Sequence, residues 1–203
     1  VIVLGLTGSI AMGKSTTAAM FRRLGVPVDD ADRTVHRLLA PGGAAVPAVG
    51  RAFPGVVAGA GVDRAALGAR VFADAAALAR LEAILHPLVR DARRAFIARQ
   101  RRHGRRLVVV DIPLLYETGA DRDVDAVAVV SAPAFLQRQR LLARPAMTEA
   151  RIAAVLARQL ADAEKRRRAD YVIPSGLGRA AAFRAVRRIV ADLGGGGRPG
   201  ASR

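Results

Sequence analysis

Eight residues near the start of the chain, G-S-I-A-M-G-K-S from Gly8 to Ser15, have the types and spacing needed to hold a polyphosphate. They match G-x-x-x-x-G-K-[ST] in full. In such a loop successive backbone N–H groups converge on phosphate oxygens, aided by the positive end of the helix that follows. Lys14 offers a slim point charge for the β- and γ-phosphates, and the Ser15 hydroxyl is placed to ligate Mg²⁺. The candidate nucleotide-binding residues are therefore Gly8, Ala11, Met12, Gly13, Lys14, Ser15 and Thr16. The flanks agree with the motif. V-I-V-L-G-L before it reads as a buried strand, and Ser15 to Leu24 after it as a helix stopped by Gly25.

A triphosphate loop leaves the reaction open. A GTPase usually reads guanine with an N-K-x-D element, and a chain without asparagine cannot carry one. At 203 residues the chain is short for a motor or a large ATPase, which favours a small-molecule kinase. Another P-loop kinase of small metabolites and a nucleotide-binding regulator without catalysis are the alternatives. A kinase needs a carboxylate near the acceptor hydroxyl and cations along the phosphoryl group in transit. V-P-V-D-D-A-D, residues 26 to 32, offers Asp29, Asp30 and Asp32 just past a strand end, the edge that faces ligands in parallel sheets. Asp30 or Asp32 could equally cap the helix that runs through Val35, Leu38 and Leu39. Asp111 ends the strand L-V-V-V-D-I as a carboxylate that can hold Mg²⁺ through water.

The elements that must position these groups alternate in type. Strands are expected at 1–6, 26–28, 107–112, 124–130 and 171–173, with helices between them, so the fold class is α/β with a mostly parallel sheet covered on both faces. The stretch from Pro41 to Gly61 reads as loop. Apolar residues at 78, 81, 85, 88, 92 and 96 make a helical stripe, and Pro87 predicts that two helices meet near His86. Pro133 suits the first turn of a helix ending near Pro145, and Thr148 can cap the next. Arg138, Arg140 and Arg144 fall on the first of these. Arg140 and Arg144, four apart, would share a face. The run Lys165 to Arg168 reads as a solvated helix end.

Composition fits a cytoplasmic enzyme with a core of Ala, Val, Leu and Ile: hydrophobic residues make up 52%, aromatics 4%, and cysteine is absent. No apolar run is long enough to span a membrane. The net charge of +16 does not by itself indicate nucleic acid. Only Lys14 and Lys165 among 33 basic residues are lysine, the other 31 being arginine spread along the whole chain. A phosphate-rich small substrate satisfies that charge as well.

Five segments in collinear order carry a resemblance. They are G-L-T-G-S-I-A-M-G-K-S-T, V-P-V-D-D-A-D, V-D-R-A-A-L-G-A-R-V-F, L-E-A-I-L-H-P-L-V-R and D-I-P-L-L-Y-E-T-G. Together, from about residue 2 to residue 173, the chain resembles the dephospho-CoA kinases. The resemblance implies transfer of phosphate from ATP, with Mg²⁺, to the ribose 3′-hydroxyl of dephospho-CoA, giving CoA and ADP. It implies a P-loop core over 1–30, 105–132 and 169–193, a helical CoA-binding lobe over about 31–104 and a lid over about 133–168, one domain to residue 193. The tail 194–203 is expected to be disordered, and a monomer is favoured. By position Asp32 matches the proposed general base, with Asp30 the alternative. Q-R-Q-R-L-L-A-R (137 to 144) matches the lid segment, making Arg140 and Arg144 candidates for ATP phosphates and Arg140 a catalytic one. His86 and Arg90 are candidates for the acceptor. Two residues depart from the family pattern: Pro174, beside the expected adenine region, and Ala11, where the family has glycine. Ala11 is expected to sit strained.

Overall fold

The computed structural model describes residues 1–195 apart from 73 and 146. The chain opens with β1 (Ile2–Thr7), α1 (Lys14–Arg23), β2 (Val28–Asp30), α2 (Ala31–Leu39) and α3 (Val46–Ala52). A small hairpin of β3 (Val57–Ala58) and β4 (Gly61–Val62) leads to α4 (Arg64–Phe72) and the long α5 (Ala75–Arg102). Next come β5 (Leu107–Asp111), β6 (Ala126–Ser131), α6 (Ala134–Leu142) and α7 (Glu149–Ala157). α8 (Asp162–Arg168), β7 (Tyr171–Pro174) and α9 (Arg179–Gly194) complete it.

Five strands form one sheet in the order β2-β5-β1-β6-β7. β1 lies at its centre, parallel to β5 with Leu6 opposite Asp111, and parallel to β6 with Thr7 opposite Val129. All of β5 and β6 is buried. Such continuous apolar runs are what a parallel sheet covered on both faces demands. Leu4, Leu6, Val109, Val130 and Ile173 pack with Phe21 of α1 and with Val186 and Ile189 of α9. The crossovers bring the strand ends and the loops that follow them to one edge, as ligand-binding α/β sheets do. β7 is an edge strand, which is why Pro174 can stand in it opposite Ser131 without removing a central ladder bond.

The chain divides into two compact units, Val1–Asp29 together with the chain from Arg99 onward, and Asp30–Ala98. The second has its own core of Leu39, Val49, Phe53, Val56, Leu67, Leu81 and Leu85. The inserted unit runs to Ala98, and residues 133–168 lie in the first unit.

Several local expectations are corrected. β2 begins at Val28 and takes in Asp29 and Asp30. The stretch read as loop from Pro41 to Gly61 holds α3, with Pro47 in its first turn, and the small hairpin. No pair of helices meets at His86: α5 runs unbroken through Pro87. An interior proline costs about 3 kcal/mol. Leu81 and Leu85 are buried and Ile84 and Leu88 pack against the same core. Each such side chain contributes about 1.5–3 kcal/mol on burial, so one continuous helix prevails. Gly194 closes α9 and Gly195 follows as its cap, so the expected disordered tail does not begin at Gly194. Its remaining residues, 196–203, lie outside the described residues.

Candidate active site

The phosphate loop joins the end of β1 to α1, and each of its unusual residues has a local reason. A Cβ on Gly8 would stand 2.7 Å from the Val130 carbonyl oxygen, so only glycine passes this close to β6. Gly13 takes φ +89° as it opens α1. Ala11 takes φ +62°, the only non-glycine residue with positive φ among the described residues. Met12 is buried, and its sulfur accepts from the Ala132 N–H at 3.2 Å.

Three consecutive carbonyls at the loop's apex each accept a hydrogen bond from distant side chains. Gln137 Nε2 donates to Ile10 at 2.8 Å, Arg140 Nη1 to Ala11 at 3.2 Å, and Ser175 Oγ to Met12 at 2.5 Å. Arg140 also donates to the Ser175 carbonyl at 3.0 Å and to its hydroxyl at 3.3 Å. The Ile10 N–H donates to Gln159 Oε1 at 3.1 Å.

Lys14 and Asp111 are brought together as an ion pair, with Asp111 buried at the end of β5. Ser15 and Thr16 are exposed in the first turn of α1. A hydroxyl at Ser15 and a carboxylate at Asp111 are hard oxygen donors, the chemistry Mg²⁺ selects, so this pair fits the ion. Arg144 departs from expectation. α6 stops at Leu142, and Arg144 lies exposed beyond it rather than sharing a helix face with Arg140. The cause is Pro145, which disfavours helical backbone in the residue before it.

Of the acceptor-side candidates, Asp30, Asp32, His86 and Arg90 lie in the second unit, whereas Asp29 lies in the first, buried in β2. Asp30 accepts from the Arg33 N–H at 3.1 Å and caps α2. Asp32 sits in the first turn of the same helix, exposed. Its charge is favoured by the helix dipole, and its carboxylate is open to solvent. His86 and Arg90, four apart and both exposed, lie on one face of the unbroken α5.

Comparison with known proteins decides the family. The model for dephospho-CoA kinase matches residues 2–177. The chain belongs to the dephospho-CoA kinase family. A dephospho-CoA kinase of Mesorhizobium japonicum is 59% identical over 96% of this chain and 98% of its own. One of Paramagnetospirillum magneticum is 68% identical over 81% and 77%. Among solved structures, the protein TT1252 of Thermus thermophilus superposes with a TM-score of 0.78 at 35% identity, covering 95% of this chain and 97% of its own. The dephospho-CoA kinase fold thus carries both the loop and the inserted unit here.

Within this dephospho-CoA kinase framework the structure adds residues that the sequence reading passes over. Lys165 is no solvated helix end. Its side chain is fully buried and pairs with Glu117 at 2.8 Å, and the same Glu117 oxygen accepts from the Leu160 N–H at 2.8 Å. The available signal was composition: in a chain that uses arginine almost everywhere, both lysines set a compact ammonium against a carboxylate, Lys165 fully buried and Lys14 half-buried. Burial pushes the Glu117 carboxyl up, but the Lys165 ammonium and backbone hydrogen bonds outweigh it and hold the group below its ordinary value. A depressed carboxylate contributes stability that is present above the unfolded value, about 4.3, and is lost as pH falls through the folded one. Lys165→Met should therefore destabilise the fold at pH 7 by about 3 kcal/mol. This is the low end for a broken buried pair, because Glu117 keeps 15% of its side chain exposed. The penalty should shrink as the pH falls, because the unpaired carboxyl of the variant takes up its proton first and that of the unaltered chain, held below its ordinary value, only at lower pH. Denaturant titration of both proteins from pH 7 to pH 3 checks it. A penalty independent of pH would contradict the account.

Ala11 gives a second stability prediction. Its left-handed backbone costs about 1–2 kcal/mol for a residue with a Cβ, partly offset because glycine loses more freedom on folding. Ala11→Gly should raise the unfolding free energy by about 0.5–1 kcal/mol. An unchanged or lower denaturation midpoint would show that the loop carries no strain.

Proposed function

We propose that this chain transfers the γ-phosphoryl group of ATP to the ribose 3′-hydroxyl of dephospho-CoA, completing CoA. Membership of the dephospho-CoA kinase family supports the reaction, and the carbonyl-tethered phosphate loop with Lys14 beside Asp111 is the observation that carries the donor half. The acceptor oxygen forms a bond to the γ-phosphorus as the bond to the ADP oxygen breaks. Asp32 takes the acceptor proton. An ordinary ionised carboxylate suffices, because the hydroxyl releases its proton only as the new bond forms. Lys14 and Arg140 stabilise the negative charge that spreads over the transferring oxygens. The N–H groups of Ala11, Gly13, Lys14 and Ser15, with Thr16 at the helix start, hold the phosphates, and Gly8 and Met12 shape the loop. Arg144 supplies a further cation for ATP, and His86 and Arg90 contact the acceptor. Ser15 directly and Asp111 through water would hold Mg²⁺. When bound there, the ion would supply positive charge that offsets part of the charge on the phosphates. We place the enzyme in the cytoplasm, a setting supported by cysteine-free composition and a coenzyme substrate.

The test is an ADP-release assay offering dephospho-CoA beside adenosine, AMP and shikimate. Turnover is expected with dephospho-CoA alone. Strong turnover with one of the others and none with dephospho-CoA would overturn the reading.

A further inference from the structure

The backbone of Ile10, Ala11 and Met12 at the apex of the phosphate loop is tied from outside the loop, and its partners come from three separate places in the sequence. Gln137 and Arg140 stand on α6, Gln159 beyond the end of α7, and Ser175 just after β7. Backbone groups settle how the two glutamines must point. A carbonyl can only accept and an N–H can only donate. Gln137 therefore presents its NH₂ to the Ile10 carbonyl, and Gln159 its oxygen to the Ile10 N–H. In a trans peptide the C=O and the next N–H point in opposite directions. Fixing the carbonyls of Ile10, Ala11 and Met12 thus aims the N–H groups of Ala11, Met12 and Gly13 the other way. Met12 spends its N–H on the Ser9 carbonyl at 3.1 Å. Those of Ala11 and Gly13 make no hydrogen bond to a described residue. Two donors stay available to an anion, on a loop whose backbone at Ala11 is otherwise unfavourable.

We infer that Gln137 and Gln159 are positioning residues for ATP, gripping the Ile10 residue from both sides so that the loop is held ready for phosphate. The buried Glu117–Lys165 pair is the second tier of the grip. Glu117 holds the N–H of Leu160, the residue next to Gln159, and Lys165 holds Glu117. This gives a purpose to the glutamate of P-L-L-Y-E and to the second lysine, neither of which touches the loop. The inference rests on the loop's binding ATP, as proposed above.

The test uses the full chain with Gln137→Leu, Gln159→Leu and the double variant. Amide hydrogen exchange is followed at Ile10, ATP affinity by calorimetry, and the KM for dephospho-CoA by ADP release. Each single variant should weaken ATP binding about tenfold, ~1.4 kcal/mol. The KM for dephospho-CoA should stay within about twofold, since uniform loosening of the fold would move both. The double variant should weaken ATP by less than the product of the singles, because both grip one residue. Gln159→Leu should speed Ile10 exchange about tenfold, while Gln159→Glu, which keeps an acceptor, should preserve protection. Gln137→Glu, which replaces a donor by an acceptor, should weaken ATP at least as much as Gln137→Leu. Unchanged ATP affinity in both leucine variants would overturn the inference. So would a parallel loss of ATP affinity, dephospho-CoA KM and thermal midpoint. If the unaltered chain bound no ATP, the functional reading would fall instead, and the Ile10 exchange rates would still report whether the glutamines grip the loop.

Discussion

Asp32→Asn is expected to lower kcat for phosphate transfer to dephospho-CoA by about 10²–10⁴, the range set by loss of a general base. ATP affinity should change less than twofold. The argument is local. Asp32 lies exposed in the first turn of α2, so its removal disturbs no core. Asparagine keeps its shape and is tolerated at helix starts, leaving the lost proton acceptor as the main change. Asp30 makes the contrast. It caps the same helix through the Arg33 N–H, and Asp30→Ala should cost about 1 kcal/mol of stability while leaving kcat within a few-fold. Transfer kinetics, ATP titration and melting of the two variants separate the roles. Should Asp30→Ala abolish transfer in a folded protein while Asp32→Asn leaves it intact, the general base has been assigned to the wrong aspartate.

Lys14→Met is expected to reduce kcat by about 10²–10³, the usual loss when one preorganised charge is withdrawn from a developing anion. Lys14→Arg should do little better, although it keeps the charge. The guanidinium is planar and broad, whereas the Lys14 ammonium is a compact point charge set against the buried Asp111 carboxylate. This chain chooses arginine at 31 of its 33 basic positions and lysine here. The prediction is checked by steady-state rates of both variants at saturating dephospho-CoA. Near-normal kcat in Lys14→Arg would show that charge alone is required and that side-chain shape is immaterial.

The phosphate loop, the strands beside it and the α/β alternation were legible in sequence because their causes are short-range. A glycine that must admit a carbonyl, an apolar run long enough for a buried strand and a helix start after G-K-S all lie within a few residues. The Ala11 strain was legible for the same reason, and its φ of +62° agrees. Pro87 shows the limit of such reasoning. Local preference predicts a break, but burial of leucines against a core built by α3 and α4 holds the helix together, and no window around residue 87 contains that core. Arg144 shows the reverse: the rule that residues before proline leave the helix was available, yet the face-sharing argument assumed a longer helix.

What the sequence determined by itself is the chemistry of the donor loop and, through five collinear motifs, the family. What only the tertiary structure decided is how that loop is held. Gln137, Arg140, Gln159 and Ser175 lie more than a hundred residues from the peptides they tether, and Glu117 lies 48 residues before the lysine that neutralises it. Hydrogen bonds and ion pairs of that separation exist only once the crossovers of the sheet bring distant strand ends together. A glutamine on a helix looks the same in sequence whether it faces water or grips a phosphate loop.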